Sequence, residues 1–349
     1  MILADDPLHY RDVSESRQLP VTTALAIWAT LSFTAALYGA WLGFGGRRFG
    51  ATLAVFSLLL AGQILFAAGN WRARIAAWMM TKPREHWLVA SLALLPFFAY
   101  LIYATGTNTF EWRRAGFSMA YVLLPTLLLM RVRGAEPRGA GWEDYAATLL
   151  LWLPVEFRLL PGLWPYPNPA TAGLGYVLTS LLAVNVAIVA FLVVRRLEGV
   201  GYTLAWGRGW GWAVGGNFLF FAAIAIPLGE AIGFIHFDPR LAALPRLPLT
   251  AAGIFLFTAW PEEFLFRGLL QNLLGQSLRS AWAGWLVGAA IFGLSHINNL
   301  GFPNWRYVLL ATLAGLFYGR AWMKTGSIFA SALVHTLVNV SWHVLFRTL

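Results

Sequence analysis

The sequence predicts an all-α fold, a polytopic bundle of about ten or eleven transmembrane helices in a lipid bilayer. Of the 349 residues, 59% are hydrophobic and only 11% are charged, so the chain lacks the polar residues that cover a soluble globule. The hydrophobic residues recur in runs of roughly 20, the length of a membrane-spanning helix. Lys and Arg lie in short clusters between these runs, as the positive-inside rule describes.

Ten segments have the length and the interfacial Trp, Tyr or Arg residues of a membrane span. They cover approximately residues 21–44, 51–68, 87–104, 115–130, 174–194, 212–234, 249–270, 281–296, 308–322 and 328–345. An eleventh, 145–160, is interrupted by Glu156 and Arg158. Placing the basic clusters at 72–84, 131–138, 195–196 and 320–324 in the cytoplasm requires this segment to cross, which predicts eleven spans and a cytoplasmic N-terminus.

A proline-rich loop predicts the division of the chain into two bundles. Residues 161–169 contain four prolines, and proline cannot continue a helix. Residues 1–160 are therefore predicted to form an N-terminal bundle of unknown role, and residues 170–349 a C-terminal bundle. The polar first 20 residues lack the basic start and the cleavage site of a signal peptide, so none is expected to be removed.

Composition also excludes several kinds of chemistry. The chain has no Cys, which rules out disulfides, a thiolate nucleophile and Cys-ligated metals. The net charge of +10 is spread over loops between apolar runs rather than gathered on one solvated face, so no nucleic-acid partner is expected. The high Trp and Gly content suggests a prokaryotic cell membrane.

One predicted span carries three charges in little more than a helical turn. Pro261-Glu262-Glu263 is followed by Arg267, and three unpaired charges in a span would cost roughly 8 to 10 kcal/mol. Glu263 and Arg267 are four residues apart and can form an ion pair, whereas Glu262 points about 100° away. Pro261 leaves the carbonyl of Phe257 without its helical bond, so a kink that admits water is expected here.

The next predicted spans supply two histidines. Phe292 and His296 close one span, and His335 and Asn339 share a face of the last one because they are four residues apart. Intramembrane ionisable groups are by default functional. The carboxylate pair and both mid-span histidines thus fall on a short stretch of consecutive helices.

These three patterns resemble the motifs of the CAAX prenyl protease and bacteriocin-processing family of intramembrane proteases. Glu262-Glu263-xxx-Arg267, Phe292-xxx-His296 and His335-xxx-Asn339 occur complete, in the family's order and at similar spacing. The resemblance covers about residues 247–346, which it identifies as a protease core within the C-terminal bundle. It implies an endopeptidase of the glutamic type that acts on a peptide or protein substrate in or at the membrane.

The resemblance also implies roles for the residues. By their positions, Glu262 and His296 would activate the attacking water, and His335 and Asn339 would hold the oxyanion. A carboxylate in a poorly solvated site is a stronger base than one in water, and imidazole and amide N–H groups are suitable oxyanion donors. The Glu263–Arg267 pair would support the site.

Other interpretations stay open at this stage. Glu262, His296 and His335 could ligate Zn²⁺, but there is no His-Glu-x-x-His pattern, so we predict neither metal nor cofactor and keep zinc as the alternative. A non-catalytic member of the family could act as a membrane scaffold or immunity factor. A transporter could use the same carboxylates as proton or ion sites.

Overall fold

The computed structural model describes residues 19–69, 85–132, 139–166 and 172–348. They are mainly helical, with almost no sheet, which confirms the predicted all-α fold. The first helices are α1 Val21–Trp41, α2 Gly46–Leu65, α3 Glu85–Thr107, α4 Trp112–Met130, α5 Trp142–Glu156, and α6, whose α-helical part Ala172–Ala187 continues into a π-helical part Ile188–Val194. The later helices are α7 Trp210–Ala231, α8 Leu241–Ser277, α9 Ala281–Leu294, α10 Trp305–Thr325 and α11 Ile328–Leu345.

Each of the eleven predicted segments coincides with one of these helices. The interrupted segment 145–160 forms α5, which ends at Glu156, so its two charged residues lie at the helix end rather than inside it. In the described ranges, six helices are long and apolar enough to cross a membrane: α1, α2, α6, α7, α8 and α11. Two shorter apolar helices, Leu94–Thr107 and Ala281–Leu294, accompany them, and the chain is an integral membrane protein.

Some predictions fall on residues that the structure does not describe. The N-terminal stretch 1–18 lies outside the described residues, as do most of the basic clusters at 72–84 and 131–138. Residues 167–169 of the proline-rich loop are also outside. The cytoplasmic N-terminus and the division near residue 160 therefore stay predictions.

The chain forms two compact units. One contains Gln18–Arg138 and Trp142–Glu198 and thus α1 to α6; the other contains Gly199–Leu349, together with Gly139–Gly141. The first unit holds a buried ion pair, in which Arg195 Nε donates to Asp144 Oδ1 at 2.7 Å. This pair joins the start of α5 to the end of α6, and the loss of either partner would leave a buried unpaired charge.

The long helix α8 changes its winding around Pro261. The α-helical turn Trp260–Glu263 lies between two π-helical stretches, Phe255–Ala259 and Phe264–Gln271. Proline removes a helical hydrogen bond, and π-helical turns are a common adjustment that often occurs at functional sites. The irregularity that the sequence predicted at Pro261 thus takes the form of widened turns on both sides of the two glutamates.

In the second unit, glycines let α10 approach α9 closely. A Cβ on Gly293 would overlap the side chain of Thr312, and one on Gly315 would lie 3.1 Å from Ala289 Cα and 3.2 Å from the Phe292 ring. This close packing brings the backbone of α10 against the helix that carries Phe292.

A small antiparallel sheet closes one end of the second unit. Strand β1, Ile235–Phe237, follows α7, and strand β2, Phe346–Thr348, follows α11. They pair with Ile235 opposite Thr348 and Phe237 opposite Phe346. The sheet therefore attaches the end of α11 to the connection between α7 and α8.

Candidate active site

The ion pair predicted on α8 is present and fully buried. Arg267 Nε lies 3.1 Å from Glu263 Oε2, and the exposed fractions of the two residues are 1% and 0%. Arg267 also donates from Nη2 to the Gly315 carbonyl at 3.1 Å. Its guanidinium carbon lies 4.3 Å from the centroid of the Phe292 ring, a cation–π distance. The pair thus connects α8 to α9 and α10.

Glu263 is also the acceptor for two side chains of α11. Ser331 Oγ lies 2.5 Å from Glu263 Oε2, and His335 Nδ1 lies 2.9 Å from Glu263 Oε1. A carboxylate that pairs with Arg267 accepts hydrogen bonds, so the proton between the two groups is on His335 Nδ1. Glu263 therefore fixes both the position and the tautomer of His335.

His335 is oriented so that its second nitrogen faces the other glutamate. Tyr318 stacks on the imidazole with ring centroids 4.6 Å apart and an interplanar angle of 16°. His335 Nε2 lies 3.9 Å from Glu262 Oε2. The Glu262 side chain is 29% exposed, in contrast to the fully buried Glu263. Glu262 is therefore the more exposed glutamate of the pair.

Phe292 lies between the two histidines. Its ring centroid is 4.8 Å from that of His296 and 6.0 Å from that of His335. On its other side His296 packs against Tyr307 with centroids 4.9 Å apart. The spacing Phe292-xxx-His296 thus places an aromatic ring next to the histidine that follows α9.

The hydrogen bonds of His296 leave one ring nitrogen available. Its Nδ1 lies 2.9 Å from the carbonyl of Phe292. A carbonyl can only accept, so in this bond Nδ1 carries the proton. In a neutral imidazole the other nitrogen, Nε2, then has a free lone pair and can take a proton from water.

Asn339 lies one helical turn beyond His335, on the same face of α11. The residue is half-buried, and no described residue hydrogen-bonds to its side-chain amide. Its NH₂ group is therefore available as a donor to a bound substrate.

The same geometry bears on the zinc alternative. The Glu263 carboxylate is occupied by Arg267, Ser331 and His335, which leaves it unsuited as a metal ligand. In the part of the chain that the structure describes, no group of three His, Asp or Glu side chains is placed to hold a metal ion. The site without a metal, and its alternative with zinc on Glu262, His296 and His335, both stay predictions.

Sequence reasoning missed three residues at this site: Ser331, Tyr318 and Tyr307. Ser331 precedes His335 by four residues, so helical spacing alone could have placed it on the same face. Tyr318 and Tyr307 lie on α10, which carries none of the three motifs. Their contacts with the histidines depend on how α10 packs, and no pattern in the sequence marked them.

Replacing Ser331 by Ala is expected to lower the free energy of unfolding by about 1.5–3 kcal/mol. The reason is the loss of a buried hydrogen bond to a charged group. Unfolding by sodium dodecyl sulfate in detergent micelles measures the change. Ser341→Ala is the matched control, because Ser341 is half-buried on the same helix. Equal effects of the two substitutions would show that Glu263 does not need Ser331.

The helices and the site describe one kind of protein. It is an α-helical integral membrane protein with an acid–base cluster buried among four helices of one unit.

Residues 244–341 match the family described as type II CAAX prenyl endopeptidase Rce1-like. This segment is less than a third of the chain, and it contains the three motifs that indicated the CAAX protease family. At the level of the family, the match supports a CAAX-protease-like intramembrane endopeptidase. No curated protein matches the chain. No solved structure matches it either.

Proposed function

We propose that the protein hydrolyses a peptide bond of a membrane-associated protein or peptide with a water molecule activated by Glu262 and His296. The observation that carries this proposal is the difference in environment between the two glutamates. Glu263 is fully buried and bonded to three side chains, whereas Glu262 is partly exposed beside His335. Only a carboxylate that can meet water can act as its general base.

His296 supports the same step. Its Nδ1 is bonded to the Phe292 carbonyl, so Nε2 is the nitrogen that orients the water or accepts its proton. In the proposed reaction, Glu262 takes a proton from water, and the hydroxide oxygen bonds to the carbonyl carbon to give a tetrahedral oxyanion. The C–N bond of this intermediate then breaks, the carbonyl re-forms, and Glu262 gives its proton to the leaving amine nitrogen. A positioned base of this kind contributes typically 10²–10⁴-fold to the rate.

His335 and Asn339 are proposed to stabilise the oxyanion. His335 Nδ1 donates to Glu263, so His335 can donate to a substrate oxygen only from Nε2 and only as the doubly protonated imidazolium. Asn339 offers a neutral amide N–H from the next turn. Removing one oxyanion donor lowers kcat by about 10²–10³-fold in other hydrolases.

For the substrate we propose only a chemical class, a peptide or protein at the membrane. The family's name refers to prenylated proteins that end in CAAX, in which A is an aliphatic residue. Two quenched fluorescent peptides with one CAAX sequence, one farnesylated and one not, separate a prenyl-dependent enzyme from a general membrane peptidase. Release of fluorescence by the protein in lipid nanodiscs, with the cleaved bond identified by mass spectrometry, would support the proposed function. If neither these probes nor co-expressed small membrane peptides are cleaved, the scaffold and transporter interpretations are favoured.

Chelators are expected to leave the cleavage rate unchanged within about twofold, because the proposed mechanism draws its base and its donors from side chains. The measurement compares initial rates with and without EDTA and 1,10-phenanthroline. A loss of activity that added Zn²⁺ restores would contradict the metal-free mechanism and favour zinc held by Glu262, His296 and His335 after rearrangement.

A further inference from the structure

Strand β1 has one paired edge and one open edge. The Asp238 N–H donates to the Leu345 carbonyl at 2.9 Å, which makes them a hydrogen-bonded pair in register with the sheet. Such pairs alternate along an antiparallel ladder, so His236 and Arg347 form the next one. Phe237 lies between them, and its N–H and C=O therefore point away from β2.

The Phe237 backbone is available on this open edge. The residue is 55% exposed, and no group in the described ranges hydrogen-bonds to its N–H or C=O. Unpaired N–H and C=O groups on an edge strand are a template for a further strand. Extended peptides bind to many proteins in this way, through backbone hydrogen bonds.

β1 begins beside the wall of the candidate active site. Phe234, directly before β1, packs against Tyr307 with ring centroids 5.3 Å apart, and Tyr307 packs against His296. Arg306 also donates to the Gly233 carbonyl at 3.3 Å. The Phe234 and His296 rings are thus connected through Tyr307 over on the order of 10 Å, a distance that an extended chain covers with about three residues.

We propose that a segment of the peptide substrate binds in an extended conformation along the open edge of β1, pairs with Phe237, and so directs a neighbouring peptide bond toward Glu262 and His296. This inference rests on the proposed function. An extended segment is also the form that hydrolysis needs, because a helix engages its carbonyls in internal hydrogen bonds. Backbone pairing tolerates many sequences, and the exposed Phe237 ring favours an apolar side chain next to it.

Backbone N-methylation of the substrate tests this pairing on the wild-type protein. The probe is the peptide that the wild type cleaves in the assay above, resynthesised with one N-methyl group at each position at least two residues from the cleaved bond. In an added strand, a single residue donates its N–H to the Phe237 carbonyl, the one opposite Phe237 if the strand is antiparallel and the one after it if parallel, while its neighbours' N–H groups point away. We expect KM to rise about threefold to tenfold at that position and little at the two flanking ones, with kcat unchanged. A scan without such a position would overturn the proposal.

Two substitutions of Phe237 test whether its backbone N–H binds the substrate. Phe237→Pro removes the outward N–H, which the β1–β2 ladder does not use, so the sheet is retained. Phe237→Ala removes the same ring but keeps the N–H, and it is the matched control. We expect KM to be about threefold to tenfold higher for the Pro variant than for the Ala variant, with similar kcat. Equal KM values in two variants with equal thermal stability would contradict the proposal. If the Pro variant does not fold, the N-methyl scan decides alone.

Failure of this inference can be told apart from failure of the proposed function. If the wild type cleaves no peptide, or if Glu262→Gln cleaves as fast as the wild type, the proposed function fails and the docking at β1 fails with it. If cleavage depends on Glu262 but the N-methyl scan is flat, only the docking at β1 is wrong.

Discussion

Replacing Glu262 by Gln is expected to lower the rate of peptide hydrolysis by about 10²–10⁴-fold and to leave the fold intact. The amide has nearly the shape of the carboxylate but cannot accept a proton from water, so the general base is lost. Because the Glu262 side chain is 29% exposed, the substitution leaves no buried charge without its partner. The effect is therefore expected in kcat and not in stability.

The measurement compares wild type, Glu262→Gln and Glu230→Gln in the same lipid nanodiscs, with the thermal unfolding midpoint of each. Glu230 is an exposed carboxylate at the end of α7 in the same unit, which makes it a matched control. An active Glu262→Gln variant with the same products would remove Glu262 from the mechanism. It would favour a site that uses another base.

Arg267→Met is expected to lower the free energy of unfolding by about 3–5 kcal/mol. The substitution leaves Glu263 as a buried carboxylate without its cation, and breaking a buried pair on one side costs this much. It also removes the hydrogen bond to the Gly315 carbonyl and the contact with the Phe292 ring. Arg240→Met is the control for loss of a positive charge, because Arg240 is exposed.

A double-mutant cycle shows whether the pair itself is responsible. The double variant Glu263→Gln/Arg267→Met lacks both the cation and the carboxylate. Because it leaves no unpaired carboxylate at position 263, it is expected to be more stable than Arg267→Met alone. The free energies come from unfolding by sodium dodecyl sulfate. Strict additivity of the two single effects would mean that Glu263 and Arg267 are not coupled.

Much of the fold could be predicted because apolar runs of span length have few alternatives in a membrane. All eleven predicted segments are helical in the described residues, although their ends differ by several residues. The largest difference is in α8, which begins at Leu241 and ends at Ser277, beyond both ends of the predicted 249–270. Helix ends are set by caps and local hydrogen bonds rather than by hydropathy, so an apolar run does not define them.

Spacing along the chain was enough to predict which residues share a helix face. The Glu263–Arg267 pair could be predicted because a spacing of four residues puts two side chains on the same face of any helix. The same rule aligned His335 with Asn339, and the motifs indicated the family whose model matches residues 244–341.

Which of these faces contact each other depends on the packing of the helices. Glu263 bonds to His335 and Ser331, which follow it by 72 and 68 residues, and no local rule connects positions so far apart. The open edge of β1 likewise exists because β2 pairs with its other side from the far end of the unit. Spacing along one helix is fixed by its geometry, whereas contacts between helices depend on how the whole bundle packs.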